Sequence, residues 1–120
     1  MNEVEAVPQE KTEPREKPVI LCKQCYQVVT HPEAAIQVAG KHEHTFRNPA
    51  GYSFHVLCFS QAPGALESGE PTSEACWFAG YAWSFAVCLQ CHHHLGWWYR
   101  GQGSFAGLIA TRLIQPPPRL

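Results

Sequence analysis

At 120 residues the chain is sized for one domain. Nine Lys and Arg against ten acidic residues give a net charge of -1, which offers no basic stripe to nucleic acid. No apolar run approaches the roughly 18 residues of a membrane span. The N-terminus also lacks the apolar segment of a secretory signal, so the expected compartment is a reducing cytoplasm. There, six cysteines are expected as metal ligands rather than as disulfides.

Residues 1–18 read as a disordered acidic tail. Glu3, Glu5, Glu10, Glu13 and Glu16 mix with Lys11, Arg15 and Lys17, broken by Pro8, Pro14 and Pro18. With no aromatic residue, the segment cannot offset its own ordering entropy. Residues 19–114 form the expected domain, and 115–120 a Pro-rich C-terminal tail.

Pro18 to Leu21 leads as a short strand into the turn Cys22-Lys23-Gln24-Cys25. Ala34 to Gly40 reads as a weak strand and Lys41 to His44 as a polar loop. Arg47-Asn48-Pro49-Ala50-Gly51 carries turn chemistry, because Pro fixes φ and Gly permits positive φ. From Tyr52 to Phe59 the chain alternates, with Tyr52, Phe54, Val56 and Cys58 on one face and Ser53, His55, Leu57 and Phe59 on the other. Apolar groups on both faces mark a central strand. Gln61 to Ser73 reads as a long loop, with at most a turn at Ala62 to Leu66. Tyr81 to Val87, Leu95 to Tyr99 and Phe105 to Leu113 are the last strands. Helical periodicity is missing, so the expected fold is all-β and mostly antiparallel.

Cys22-x-x-Cys25 and Cys88-x-x-Cys91 are two knuckles, each placing two sulfurs on one side of a tight loop. Together they make a closed four-cysteine site, the pattern of structural rather than catalytic zinc. A small core with few long aliphatic residues needs such support. The competing reading is a set of redox thiols or disulfides. The run His92-His93-His94 offers a further ligand beside Cys91, but strand neighbours alternate faces and cannot all reach one metal. Cys58 reads as a small buried apolar residue. Cys76 has no visible partner that would make it a nucleophile.

All four tryptophans fall between Cys76 and Arg100. An indole is rarely buried whole, and its N–H needs a partner when it is. Trp77, Trp83 and Trp97 therefore read either as core or as the walls of a ligand cage. Trp97 and Tyr99 share a strand face, and Trp98 points away. Such a cage suits a methylated ammonium or a flat neutral ring.

These residues resemble a known family. Trp77-Phe78-x-Gly80-Tyr81-x-Trp83, then Cys88-x-x-Cys91 and His94-Leu95-Gly96-Trp97-x-Tyr99, resemble the CULT domain, the thalidomide-binding domain of the cereblon family, which also occurs as short single-domain bacterial proteins. Cys22-x-x-Cys25, Asn48-Pro49-x-Gly51 and Phe105-x-Gly107-Leu108 match in the same order. The resemblance spans roughly residues 20–114. It implies a β-tent, two antiparallel sheets meeting at an angle and pinned by zinc on Cys22, Cys25, Cys88 and Cys91. It also implies a ligand cage of Trp77, Trp83 and Trp97, with Tyr99 as a fourth aromatic and Asn48 and Pro49 on the rim.

Members of this family bind cyclic imides such as glutarimide, and uracil-like rings. They read the imide edge with backbone groups, here at Ala75 and Trp77. A protein end carrying a cyclic imide is a further implied partner. Two departures stand out: Ala75 replaces a histidine of cereblon itself, and Ala106 replaces an aromatic, which loosens the wall behind Phe105. The chain lacks the further domains through which cereblon joins a ubiquitin ligase, so no ligase partner is expected. A ring of about eight heavy atoms should bind in the micromolar region.

Two other readings compete. B-type methionine sulfoxide reductases share the paired knuckles, and there Cys58 or Cys76 would have to be catalytic. A methyl-ammonium cage would need a carboxylate, for which Glu74 is the nearby candidate.

Overall fold

The computed structural model describes residues 17–117. The expected tails, as far as they cover residues 1–16 and 118–120, lie outside the described residues.

Among the described residues there are nine strands: β1 (Ile20–Cys22), β2 (Val28–Thr30), β3 (Glu43–Arg47), β4 (Ser53–Phe59), β5 (Ala65–Thr72), β6 (Ala82–Cys88), β7 (His94–Arg100), β8 (Ser104–Ile109) and β9 (Leu113–Ile114). They build two sheets, a small one in the order β2-β1-β9 and a large one in the order β3-β4-β8-β7-β6-β5. Every pairing is antiparallel. The all-β, two-sheet fold expected from sequence is what forms.

The large sheet has a core on each face. Val56 and Cys58 of β4, Trp97 and Tyr99 of β7, and Phe105 and Ile109 of β8 pack with Phe78 on one side. Leu57 and Phe59, Leu95, and Ala106 and Leu108 face the other side, where Ile20, Cys22, Val29 and Leu113 of the small sheet cover them. Strands β4 and β8 obey the period of two throughout, so a central strand with two apolar faces is the right reading of 52–59. Ala106 is fully buried in the core shared with the small sheet, opposite Trp98. It therefore lies on the far side of the sheet from Phe105.

Four segments differ from expectation. Residues 34–40 are no strand: Pro32–Ala34 forms a 3-10 turn, and only the isolated bridges Ala35↔Phe59 and Val38↔Lys41 remain. Ala39 and Gly40, at φ 52 and 88, fold the chain back too sharply for an extended run. The polar loop at 41–44 turns into β3 at Glu43, and the long loop at 61–73 contains the eight residues of β5. Both strands are the outermost of the large sheet. An edge strand exposes much of its surface and shows little apolar alternation. In β5 the pairing shifts between Ser68 and Thr72, around Gly69 at φ 87 and Pro71, which further hides its signature. Finally, 105–113 is split: β8 stops at Ile109, a 3-10 turn spans Ala110–Arg112, and β9 crosses to pair with β1.

The polar edge strand is tied down by charge. Glu67 accepts from Ser84 Oγ at 2.6 Å and Arg100 Nε at 3.0 Å, and also pairs with Arg100 Nη2. The Arg100 hydrogen bonds, then Ser84, hold the Glu67 carboxyl near 2, against an ordinary 4.5. A depressed carboxylate stabilises the fold above its unfolded value and loses that contribution as pH falls through its folded value. Acidification from pH 5 to pH 2 is therefore expected to cost about 1 kcal/mol through Glu67, since the pair is partly solvated. Denaturation of Glu67→Gln should show that much less acid sensitivity; an identical pH profile would refute the assignment.

Close backbone packing sets a second constraint. A β-carbon on Gly96 would fall 2.1 Å from the Gly107 carbonyl oxygen, across the β7–β8 pair. Gly96→Ala is expected to lose about 3 kcal/mol or more in urea denaturation, because main chain rather than a pliable side chain must yield. A loss below 1 kcal/mol would show that the two strands separate easily.

Candidate ligand pocket and metal site

The four cysteines Cys22, Cys25, Cys88 and Cys91 come together, their sulfurs all within 4.8 Å of one another. Cys22 Sγ lies 3.7 Å from Cys91 Sγ, and Cys25 Sγ 3.5 Å from Cys88 Sγ. Four thiolates around a tetrahedral ion with metal–sulfur bonds of about 2.3 Å stand about 3.8 Å apart, so the set fits such an ion.

The two knuckles are copies of each other in backbone terms. Tyr26 N–H donates to Cys22 O at 2.8 Å and His92 N–H to Cys88 O at 2.9 Å. Cys22 N–H donates to Gln27 O and Cys88 N–H to His93 O, both at 2.8 Å. Tyr26 and His92, each just after its second cysteine, take φ of 65 and 63. Main-chain N–H groups approach the sulfurs: those of Cys25 and Gln24 at Cys22, of Gln27 at Cys25, of Gln90 at Cys88 and of His93 at Cys91. Such donors favour thiolate, the form that binds metal.

Burial pushes the Cys22 thiol up to about 12. At Cys25 a burial effect in the same direction is outweighed by the Gln27 N–H and the neighbouring sulfurs, which bring it down to about 7. Cys22 ends β1 of the small sheet and Cys88 ends β6 of the large one, so an ion held here would pin the two sheets together. Among the described residues none of His92, His93 and His94 joins this cluster.

On the other face of the large sheet opens a pocket of about 410 Å³. Its walls come from the β3–β4 turn (Asn48, Pro49), β4 (Phe54), the β5–β6 loop (Glu74, Ala75, Trp77), β6 (Trp83, Phe85) and β7 (His94, Trp97, Tyr99). All seven residues singled out as ligand-contacting from sequence thus line one cavity. Trp77 stacks on Phe46 at 4.8 Å and meets Trp97 edge to face at 4.9 Å. Phe54 meets Trp97 at 5.3 Å. Trp83 donates its indole N–H to Glu74 O at 2.8 Å, which fixes the loop just before Ala75. Tyr99, 1% exposed, is wedged against Phe78 and stacked on Phe105, so it backs the pocket rather than standing open in it. Burial raises its phenol above the ordinary range.

Asn48 holds the rim turn: its Oδ1 accepts from Tyr52 N–H at 2.9 Å, and Gly51, at φ 93, closes the turn onto Asn48 O. Ala75 sits at φ 53, in the left-handed region. Among the described residues neither the Ala75 carbonyl nor the Trp77 N–H has a hydrogen-bond partner.

Phe54, Phe85 and His94 were not anticipated as pocket residues. Phe85 shares the alternating face of Trp83 on β6, and that signal was legible. His94 was hidden by a bulge. Ala86 pairs with Gly96 but Val87 with His94, leaving Leu95 as an extra residue. Leu95 therefore turns to the small sheet and His94 joins the face of Trp97, which simple alternation would forbid.

Fold and site together define a small two-sheet β domain with a closed four-cysteine metal-type site and a separate aromatic pocket. No family model matches the chain. It is 36% identical over 81 residues to protein cereblon of Gallus gallus, covering 65% of this chain and 18% of that protein. To protein cereblon of Drosophila yakuba it is 29% identical over 92 residues, 72% of this chain and 15% of the relative. To that of Danio rerio it is 40% identical over 50 residues, 42% and 12% respectively. The chain is thus a CULT-domain relative of cereblon, as its motifs led us to expect, and it spans less than a fifth of the length of these relatives. Among the described residues no helix is long and apolar enough to cross a membrane.

Proposed function

We propose that this CULT-like domain is a non-enzymatic binding module that takes a small cyclic imide such as glutarimide, or a uracil-like ring, between Trp77, Trp83 and Trp97. The observation that carries the reading is that the Ala75 carbonyl and Trp77 N–H, at an aromatic pocket, have no hydrogen-bond partner among the described residues. An imide has two apolar faces and an edge with one donor beside an acceptor. The indoles cover the faces; the backbone pair satisfies the edge. Because main-chain groups do the reading, an alanine at position 75 keeps them. A protein end bearing a cyclic imide presents the same ring. The pocket volume falls in the range of small-molecule sites.

In this reading zinc in the four-cysteine site is structural, and the chain works in the cytoplasm. Cys58 is fully buried and its thiol is pushed up to about 11, the reverse of what a reductase nucleophile needs. Cys76 Sγ is engaged by the Phe78 carbonyl at 3.4 Å. Both observations favour binding over catalysis. Glu74 in the lining keeps a methylated ammonium as a second reading.

The test is tryptophan fluorescence of the zinc-loaded protein titrated with glutarimide, uracil, N-methylglutarimide and trimethyl-lysine. Saturation by the first two, weakened by N-methylation, is the expected result. Saturation by trimethyl-lysine alone would transfer the pocket to the ammonium reading. No response to any of them would end both.

A further inference from the structure

Arg112 lies outside the pocket, in the 3-10 turn between β8 and β9, yet its contacts converge on the pocket histidine, His94. Its Nη1 donates to His94 O at 2.9 Å and to His94 Nδ1 at 3.2 Å. Guanidinium has no lone pair to offer, so Nδ1 must accept. The other ring nitrogen, Nε2, lies 2.8 Å from Gly96 O, which can only accept, so Nε2 carries the proton. The two contacts leave one consistent state, a neutral imidazole protonated at Nε2 alone.

That ring stands edge to face against Trp97 at 5.1 Å and Phe85 at 5.4 Å. The guanidinium also lies over Phe54, 5.8 Å from its centroid, and Phe54 touches Trp97 in turn. At the main chain, Arg112 O accepts from Lys23 N–H inside the first knuckle, which anchors the turn to the small sheet. Among the described residues, Arg112 and His93 are the charged or titratable groups that act on the imidazole. His93 is its chain neighbour, and among the described residues Glu74 is the only carboxylate lining the pocket.

We infer that Arg112 is a positioning residue for the pocket, locking His94 as a neutral, fixed wall behind Trp97 and Phe85. The inference rests on the ring-binding reading above. Burial first, and then the nearby guanidinium, disfavour the charged imidazole, in keeping with the lock. The lock also explains the Leu95 bulge: it carries a polar ring into an aromatic wall, where the ring's nitrogens need partners that Gly96 and Arg112 supply.

The experiment uses the full zinc-loaded chain and the variants Arg112→Met and Arg112→Lys. Nitrogen NMR of the His94 ring follows tautomer and protonation against pH, and fluorescence titration follows glutarimide. In the wild type, His94 should be the Nε2–H tautomer. In Arg112→Met its protonation midpoint should move upward, the two tautomers should mix, and glutarimide affinity should fall about fivefold. Arg112→Lys, which keeps a donor and the charge, should lie between, and covers the case in which Arg112→Met fails to fold. An unchanged tautomer and midpoint in the variants overturns the inference, and so does a His94 that responds while glutarimide binds equally to all three proteins. A wild type that binds no ring sinks the underlying reading and the inference with it. That outcome is told apart from failure of the inference alone, in which wild type and variants bind alike.

Discussion

Stripping the metal with a chelator, or replacing Cys25 or Cys91 by serine, is expected to unfold the domain. The small sheet has three strands of three, three and two residues, too few to hold together alone. Its hold on the large sheet is the core around Ile20, Val29 and Leu113 and the sulfur cluster that joins β1 to β6. Structural zinc contributes roughly 10–16 kcal/mol to small zinc-finger peptides, and a domain of this size has a net stability of about 5–15 kcal/mol. Zinc held by these four cysteines would thus contribute an amount comparable with the whole. Circular dichroism should show loss of the cooperative thermal transition on chelation and its return with zinc. Cys58→Ala, which removes a buried sulfur outside the cluster, should keep both the metal and the transition. A chelated protein that melts at the same temperature as the loaded one would refute the pinning role.

The second large effect is expected at Trp83. Trp83→Ala removes a pocket wall and also the 2.8 Å hydrogen bond that holds Glu74 O, just before the proposed reading group at Ala75. Loss of one aromatic wall and of a pre-set edge should cost about 2–3 kcal/mol, or roughly 30–150-fold in affinity for glutarimide. Trp83→Phe keeps a wall and loses the hydrogen bond, so it should fall between. The residue lines the pocket and is half-buried, so the fold should survive both changes. N-methylation of the ring should cost a further 1–3 kcal/mol in the wild type, as about one backbone acceptor is left unpaired. Equal affinity of Trp83→Ala and wild type would remove Trp83 from the site.

Much of this architecture was legible because it rests on local rules. The alternation of β4, the turn chemistry at Asn48 to Gly51 and the twin Cys-x-x-Cys knuckles are short-range patterns, and each forms where it was read. Three of the four misread segments share one cause. Strands β3 and β5 are strands only because a neighbour pairs with them, and their sequences at the sheet edges are polar enough for loops. Likewise the apolar run from Phe105 to Leu113 carries no mark of the place where it leaves one sheet for the other.

The all-β class and the matched pair of Cys-x-x-Cys knuckles could be read from the residues, since side-chain chemistry and the period of two are written residue by residue; the residues alone left Trp77, Trp83 and Trp97 open between core and cage, and it was the resemblance to the CULT domain that implied one pocket. The folded arrangement was needed to show that His94 shares a face with Trp97, that Arg112 meets its ring nitrogen, and that the Ala75 carbonyl and Trp77 N–H find no hydrogen-bond partner among the described residues. A bulge shifts pairing by one residue, and a main-chain group is free or paired according to what the rest of the fold brings beside it. Neither property belongs to any residue on its own.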